Sequence, residues 1–332
     1  MNRTLFKSMR LVLFSWILLT TYAPAAFAQD VIRVSYPAPD AGYAALWAAK
    51  DTGLFEKHGV KVELVYIAST PIGMAALMAG EIDVITGAAG GIISANLAGA
   101  SDLVLFAGLA RTLPFSLYSK PSITSISQLK GTKVGVTRFG STFDFAARWL
   151  LTQSGMDARK DVVLLQIGSV PGILGALKAD SIDAGILSFP SSWLAKKSGL
   201  RELADIAATG MKYQKEAFGA RKGFLEKRKD SMKRFVTALV AGIEFVKSQP
   251  DETIKIMGKY SKTEDKEALH SAYDLLVRKY LPNVPTVDPE SLALILNDIG
   301  EKNPKANTIS ANRFIFDQYV REVVGSRAGV SQ

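Results

Sequence analysis

The sequence predicts an α/β protein of two similar lobes, each built on a mainly parallel sheet, with a cleft between them. Three observations carry that prediction. The chain contains an internal repeat at an offset of about 100 residues, each copy alternates strand-like and helix-like segments, and a strand-like connection joins the copies.

The repeat is clearest where Pro71 to Asp83 aligns with Pro171 to Asp183. Ala76, Leu77, Ala79, Ile82 and Asp83 recur as Ala176, Leu177, Ala179, Ile182 and Asp183. Upstream, Val62, Leu64, Ile67 and Ser69 match Val162, Leu164, Ile167 and Ser169, and Ala45, Trp47 and Gly53 match Ala147, Trp149 and Gly155. In the first copy, Val31–Tyr36 reads as a strand and Tyr43–Asp51 as a helix stopped by Gly53. Val60–Ile67 alternates as a strand, Thr70–Ala79 is helical up to Gly80, and Ile82–Thr86 is a buried strand. The second copy reads the same way over Lys133–Thr137, Phe143–Gln153, Val162–Ile167, Gly172–Ala179 and Ile182–Leu187. Strands alternating with helices imply parallel pairing.

Leu103–Leu109 and the stretch to Tyr118 form the first crossover between lobes, and a second is expected near Gly210–Ala220. Lobe one is therefore expected to hold residues 29–112 and 216–332, and lobe two residues 113–215. The later chain is mainly helical over Asp230–Lys247, Thr253–Lys259, Glu264–Lys279, Pro289–Asn297 and Ser310–Val324, and should brace lobe one.

Residues 1–28 have the layout of a cleaved secretory signal peptide. Arg3, Lys7 and Arg10 precede an apolar run of 12 residues, Leu11–Tyr22, and the segment ends in Ala26-Phe27-Ala28. A membrane-spanning helix needs about 20 apolar residues, so cleavage after Ala28 is expected. There is no cysteine, so the exported protein must do without disulfides or an N-terminal lipid. A bounded compartment, the periplasm, then suits it. Three of the nine net positive charges belong to the leader, leaving +6 on the mature chain. The basic residues are scattered as on a solvated surface, and an exported chain is not expected to bind nucleic acid.

In open α/β sheets a ligand sits beyond the carboxyl ends of the strands. That rule selects Pro39, Asp40, Gly42 and Tyr43, then Ser69 and Thr70, Gly87 and Ala88, Gly140, Ser141 and Thr142, and Ser169. Small and hydroxylated residues let backbone N–H groups approach a ligand. The hydroxyls serve equally well as helix caps, and a capped N-terminus also attracts an anion. Arg111 and Arg138 are the cations best placed to fork a carboxylate or sulfonate, with solvent exposure the alternative for each. Tyr36, Tyr43, Phe115, Phe139 and Phe189 could line an aromatic pocket, or simply pack.

Catalytic and metal signatures are missing. His58 and His270 are the only histidines and stand apart. Gly135 to Thr142 has a P-loop spacing, but Ser141 occupies the lysine position. Ser127 and Lys130 share a Ser-x-x-Lys spacing that is common by chance. No nucleophile, base and oxyanion donors come together, so no enzyme activity, cofactor or metal is expected.

Four segments together carry a family likeness. They are Ala48 to Gly59 (AAKDTGLFEKHG), Ala76 to Asp83 (ALMAGEID), Leu129 to Val136 (LKGTKVGV) and Asp288-Pro289-Glu290. With them the mature chain resembles the periplasmic substrate-binding proteins of ABC importers for nitrate, sulfonates and taurine, a group that includes thiamine-precursor-synthesis-like (NMT1-like) proteins. The resemblance implies a type II periplasmic binding protein fold, a Venus flytrap whose lobes close on a small, anionic or aromatic solute. It also implies a monomer that delivers the solute to a membrane permease, with the ATPase on the cytoplasmic side. Two alternatives keep the same fold: a sensory binding protein that docks on a receptor, and an enzyme like the pyrimidine-precursor synthases. The synthases carry a cofactor lysine and histidines in the cleft, and no histidine falls in a cleft loop here.

Overall fold

The computed structural model describes residues 31–328. The predicted leader therefore lies outside the described residues. Among the described residues ten strands run in chain order: β1 (Val31–Tyr36), β2 (Lys61–Tyr66), β3 (Val84–Gly87), β4 (Leu103–Gly108), β5 (Ser116–Ser119), β6 (Lys133–Val136), β7 (Val163–Gln166), β8 (Ala184–Leu187), β9 (Arg201–Asp205) and β10 (Ala217–Arg221). They form two five-stranded sheets, ordered β2-β1-β3-β10-β4 and β7-β6-β8-β5-β9.

The two orders are one pattern. In each sheet three parallel strands from one repeat are joined by an antiparallel strand that arrives from the other lobe. β5 enters the second sheet straight after the first crossing, and β10 re-enters the first after the second crossing. The crossing segments pair with each other: Lys215 N donates to Ala110 O, Leu109 N to Glu216 O, and Tyr213 N to Arg111 O. Two paired strands make the hinge of a two-lobed molecule.

A half-buried carboxylate pins each sheet at the same place. Asp83 accepts the Arg33 amide at 2.8 Å, and Asp183 accepts the Lys133 amide at 2.9 Å. Each carries its own cation, Arg33 and Lys120 respectively. The repeated aspartates thus serve their own lobes, as the repeat requires.

The helices of the first repeat are α1 (Ala44–Asp51), α2 (Leu54–Lys57), α3 (Thr70–Ala79) and α4 (Ala89–Leu97); those of the second are α5 (Thr142–Gln153), α6 (Val170–Lys178) and α7 (Ser191–Lys197). Of these, α2, α4 and α7 are additions to the expected set, and the bounds of α1, α3, α5 and α6 lie within a residue or two of the expected ones. Glycine at the end of α3 and the fixed apolar spacing set them. After α8 (Lys222–Lys227) comes the long α9 (Lys229–Ser248), which buries Phe235, Leu239 and Ile243 in the core shared with Trp47 of α1.

The remaining helices are α10 (Pro250–Ser261), α11 (Lys266–Ala272), α12 (Ala293–Gly300) and α13 (Gln318–Ala328). Three expectations change here. The segment Tyr273–Lys279 is a π-helix rather than a continuation of α11. The helix expected over Ser310–Val324 is interrupted, because Phe314 is buried and Ile315 bridges to Leu105 of β4 before α13 begins. Nor do these elements brace lobe one alone. Glu301 pairs with Arg159 of lobe two, and Asp265 accepts Trp193 Nε1 and Lys197 Nζ from α7, each at 3.1 Å. Among the described residues no helix is long and apolar enough to cross a membrane.

Candidate functional site

The carboxyl ends of the parallel strands in both lobes face one cavity of about 370 Å³. That is room for about a dozen waters at ~30 Å³ each, which suits a small organic solute. The strand-end loops build it. After β1 come Pro37 to Asp40 and Tyr43, at and after the end of β2 Tyr66 and Ala68 to Thr70, after β3 Ala88; from the other lobe come Thr137 and Ser141 to Phe143, Gly168 to Pro171, and Ser188 to Ser191. Ser261 closes one side and Lys215, on the second crossing, another.

Of the residues singled out by sequence, Pro39, Asp40, Tyr43, Ser69, Thr70, Ala88, Ser141, Thr142, Ser169 and Phe189 meet at this cavity. Five do not line it. Gly42 lies behind the wall, where a Cβ would stand 2.4 Å from Glu216 Oε1, so only glycine admits that carboxyl. Gly87 has φ +153°, and a Cβ there would meet Thr70 Oγ1 at 2.5 Å; its role is to let α3 approach β3. Gly140 and Arg138 are exposed on the loop after β6. Arg111 is turned away: its Nη2 donates to Thr286 O at 3.0 Å and to Thr286 Oγ1 at 2.6 Å. Neither arginine forms the expected fork in the cavity, because one is claimed by a distant backbone segment and the other is outside the wall.

The walls are aromatic on both sides. Tyr43 and Tyr66 face from lobe one, Phe115, Phe143 and Phe189 from lobe two. Phe115 and Phe143 stack at 4.4 Å. Tyr36 and Phe139, the other two aromatic candidates, are not in the lining; Tyr36 instead packs behind Tyr43 and Tyr66.

Several helices begin at the cavity. Ser141 caps α5 by accepting Asp144 N at 3.3 Å, and Ser169 caps α6 by accepting Gly172 N at 3.2 Å. Both hydroxyls are helix caps and cavity residues at once. Ser69, at the start of α3, differs: its φ is +79°, and its Oγ is buried without a partner. Convergent helix N-termini give the cavity a positive backbone potential.

Sequence reasoning missed the charged group of the site. Lys215 Nζ donates to Asp40 Oδ2 at 2.8 Å, lies against the Glu216 carboxylate, and sits 5.2 Å from the Phe115 ring. Asp40 Oδ1 accepts the Gly42 amide at 2.9 Å. Asp40 and Lys215 are nearly buried and Glu216 is wholly so. Burial alone would lower the lysine, but the two carboxylates outweigh it and hold the ammonium above its ordinary range. For Glu216 the balance is reversed. Burial pushes it up, Lys215 opposes, and nearby Asp40 adds to the rise, bringing it to about 7. Burial, then the carboxylates of Glu216 and Asp40, drives the Tyr43 phenol well up. The signal available in the sequence was a Lys-Glu pair immediately before a strand that begins apolar, Ala217–Arg221.

A likeness to known proteins accompanies this geometry. A binding protein of Brucella abortus, so named without a stated ligand, is 26% identical over 280 residues, 80% of each chain. The periplasmic aliphatic sulphonate binding protein SsuA from Escherichia coli superposes with a TM-score of 0.70 at 21% identity, covering 86% of this chain and 99% of its own. The desulfurization enzyme DSZB superposes at 0.66 with 16% identity, covering 90% and 100%. At such identities the superpositions establish the fold, a periplasmic binding protein fold, and leave activity to the site. The family model described as NMT1/THI5 like matches residues 40–253, more than half of the sequence, and the chain belongs to that family.

Proposed function

We propose that the mature chain is the solute-binding component of an ABC importer. It captures a small aromatic solute carrying an anionic group between its lobes and passes it to a membrane permease. Export through a cleaved leader and residence in the periplasm belong to the same reading. The observation that carries it is the cavity: both lobes contribute aromatic walls, hydroxyls and helix starts to one partly open space of about 370 Å³. A site divided between lobes binds by closing, and closure is what a permease can sense. The names of the sulphonate-binding neighbour and the Brucella relative support a binding role.

The test is a melting screen of residues 29–332 against aromatic carboxylates, sulfonates, nitrate, pyrimidines and amino acids. A ligand that binds only the folded state raises Tm by mass action. The expected result is a rise with one aromatic anion and recovery of that solute unchanged. Chemical conversion of the solute would instead support the enzyme reading. No response from any class would contradict solute capture.

A further inference from the structure

The Asp40–Lys215–Glu216 cluster is costly to build and has no counterpart in the repeat. It puts one ammonium between two buried carboxyls at the crossing that joins the lobes. Removing charge from water is expensive unless every partner is satisfied. Glu216 is not satisfied: neither carboxylate oxygen has a well-directed hydrogen bond, although the Lys215 ammonium and the Ala110 amide are the donors nearest it. The titratable groups facing it are Lys215, Asp40 and the Tyr43 phenol. Gly42 provides the space it occupies.

Among the described residues, Lys215 is the one basic side chain in the cavity lining. An ammonium has three N–H donors; Asp40 accepts one, and Glu216 lies against the same nitrogen without a well-directed bond. Donor capacity therefore remains for a solute in the cavity that Lys215 lines. Nearby helix starts favour the same sign of ligand charge, and the chain as a whole is basic.

We infer that Lys215 holds the anionic group of an aromatic carboxylate and that Glu216 takes up one proton from solvent as the solute binds. This rests on the solute-capture reading above. The reason is electrostatic. With Glu216 ionised, two carboxylates already face one ammonium, and a third anion would be repelled. Once Glu216 is neutral, the cluster is one positive and one negative charge, and the lysine can serve the solute. Linkage requires the reverse as well: the bound anion favours protonated Glu216. The site charge is then adjusted by a proton rather than by an arginine.

The experiment follows the Glu216 side-chain carboxyl by ¹³C NMR in the full mature chain, alone and with benzoate as the probe. The expected free midpoint is about 7, rising on addition of benzoate. Benzoate Kd should weaken by up to ~10-fold per pH unit between the free and bound midpoints. In Glu216→Gln the binding should persist and its pH dependence flatten. A Glu216 midpoint in the ordinary carboxylate range overturns the inference. So does a midpoint that saturating benzoate leaves unmoved, or an equally steep pH profile in Glu216→Gln. If the melting screen instead finds a neutral or cationic solute and the midpoint stays or falls, proton uptake is wrong while solute capture stands. The wild-type titration decides the matter even if the variant does not fold.

Discussion

The two lobes share an anchor and differ at the turn that faces the solute. Asp83 and Asp183 hold the first strand of their repeats through the same backbone bond, at 2.8 and 2.9 Å. The serines that open the equivalent helices have parted. Ser169 has φ −143° and caps α6, whereas Ser69 has φ +79° and leaves α3 without a side-chain cap. Strand pairing is constrained by everything packed on the sheet, so the anchor keeps its form. A turn at the cavity answers only to the ligand and its immediate neighbours, and can adopt a conformation that costs about 1–3 kcal/mol in a non-glycine residue.

The tryptophans give the largest contrast between lobes. Trp47 is fully buried and stacked on Tyr260 at 4.7 Å, while its counterpart Trp149 is half-buried. Trp47→Ala should cost about 3–5 kcal/mol in chemical denaturation. Trp149→Ala should cost about half of that or less, because less of its ring leaves water on folding. Equal losses would break the comparison at its core.

The anchors come next. Asp83→Ala and Asp183→Ala should each cost about 1–3 kcal/mol by orphaning a strand amide, and by similar amounts. The acid limb can be assigned as well. The Lys133 amide first, and the Lys120 ammonium after it, hold Asp183 below the usual carboxylate range. Its contribution is therefore present above the unfolded pKa of ~4 and is lost as pH falls through the folded value. The stability gap between wild type and Asp183→Asn should be complete at neutral pH and close in acid.

The smallest effects are the sharpest. Ser169→Ala should cost about 1 kcal/mol by removing a cap, and Ser69→Ala should not show that loss. Ser69→Gly should stabilise by about 1 kcal/mol through relief of the positive φ. A stabilised Ser69→Gly with weaker solute binding would mark the strain as part of the site.

Much of the fold was legible because the repeat counts every element twice. Asp83 precedes a strand and Asp183 does the same a hundred residues on, while Asp180, at φ +56°, stands where Gly80 ends α3. The strand-end loops were legible too, since topology alone sends a ligand there. What escaped depended on contacts distant in sequence. Arg111 is drawn off by Thr286, 175 residues away, and nothing local announces it. Lys215 and Glu216 lie on a crossing without periodicity and without a repeated partner. Their meaning appears only when Asp40 and Gly42 close around them. The interruption at Ile315 likewise comes from its bridge to Leu105 on another element.

The central claim is that the space between the lobes holds one small solute. Ala88 lines that space at the start of α4 and is nearly buried. Calorimetric titration of the best solute from the melting screen should give one site per chain in the wild type. In Ala88→Trp, folded by circular dichroism, the indole would fill the cavity and the binding heat should vanish. Undiminished binding in Ala88→Trp would place the solute elsewhere and contradict the account.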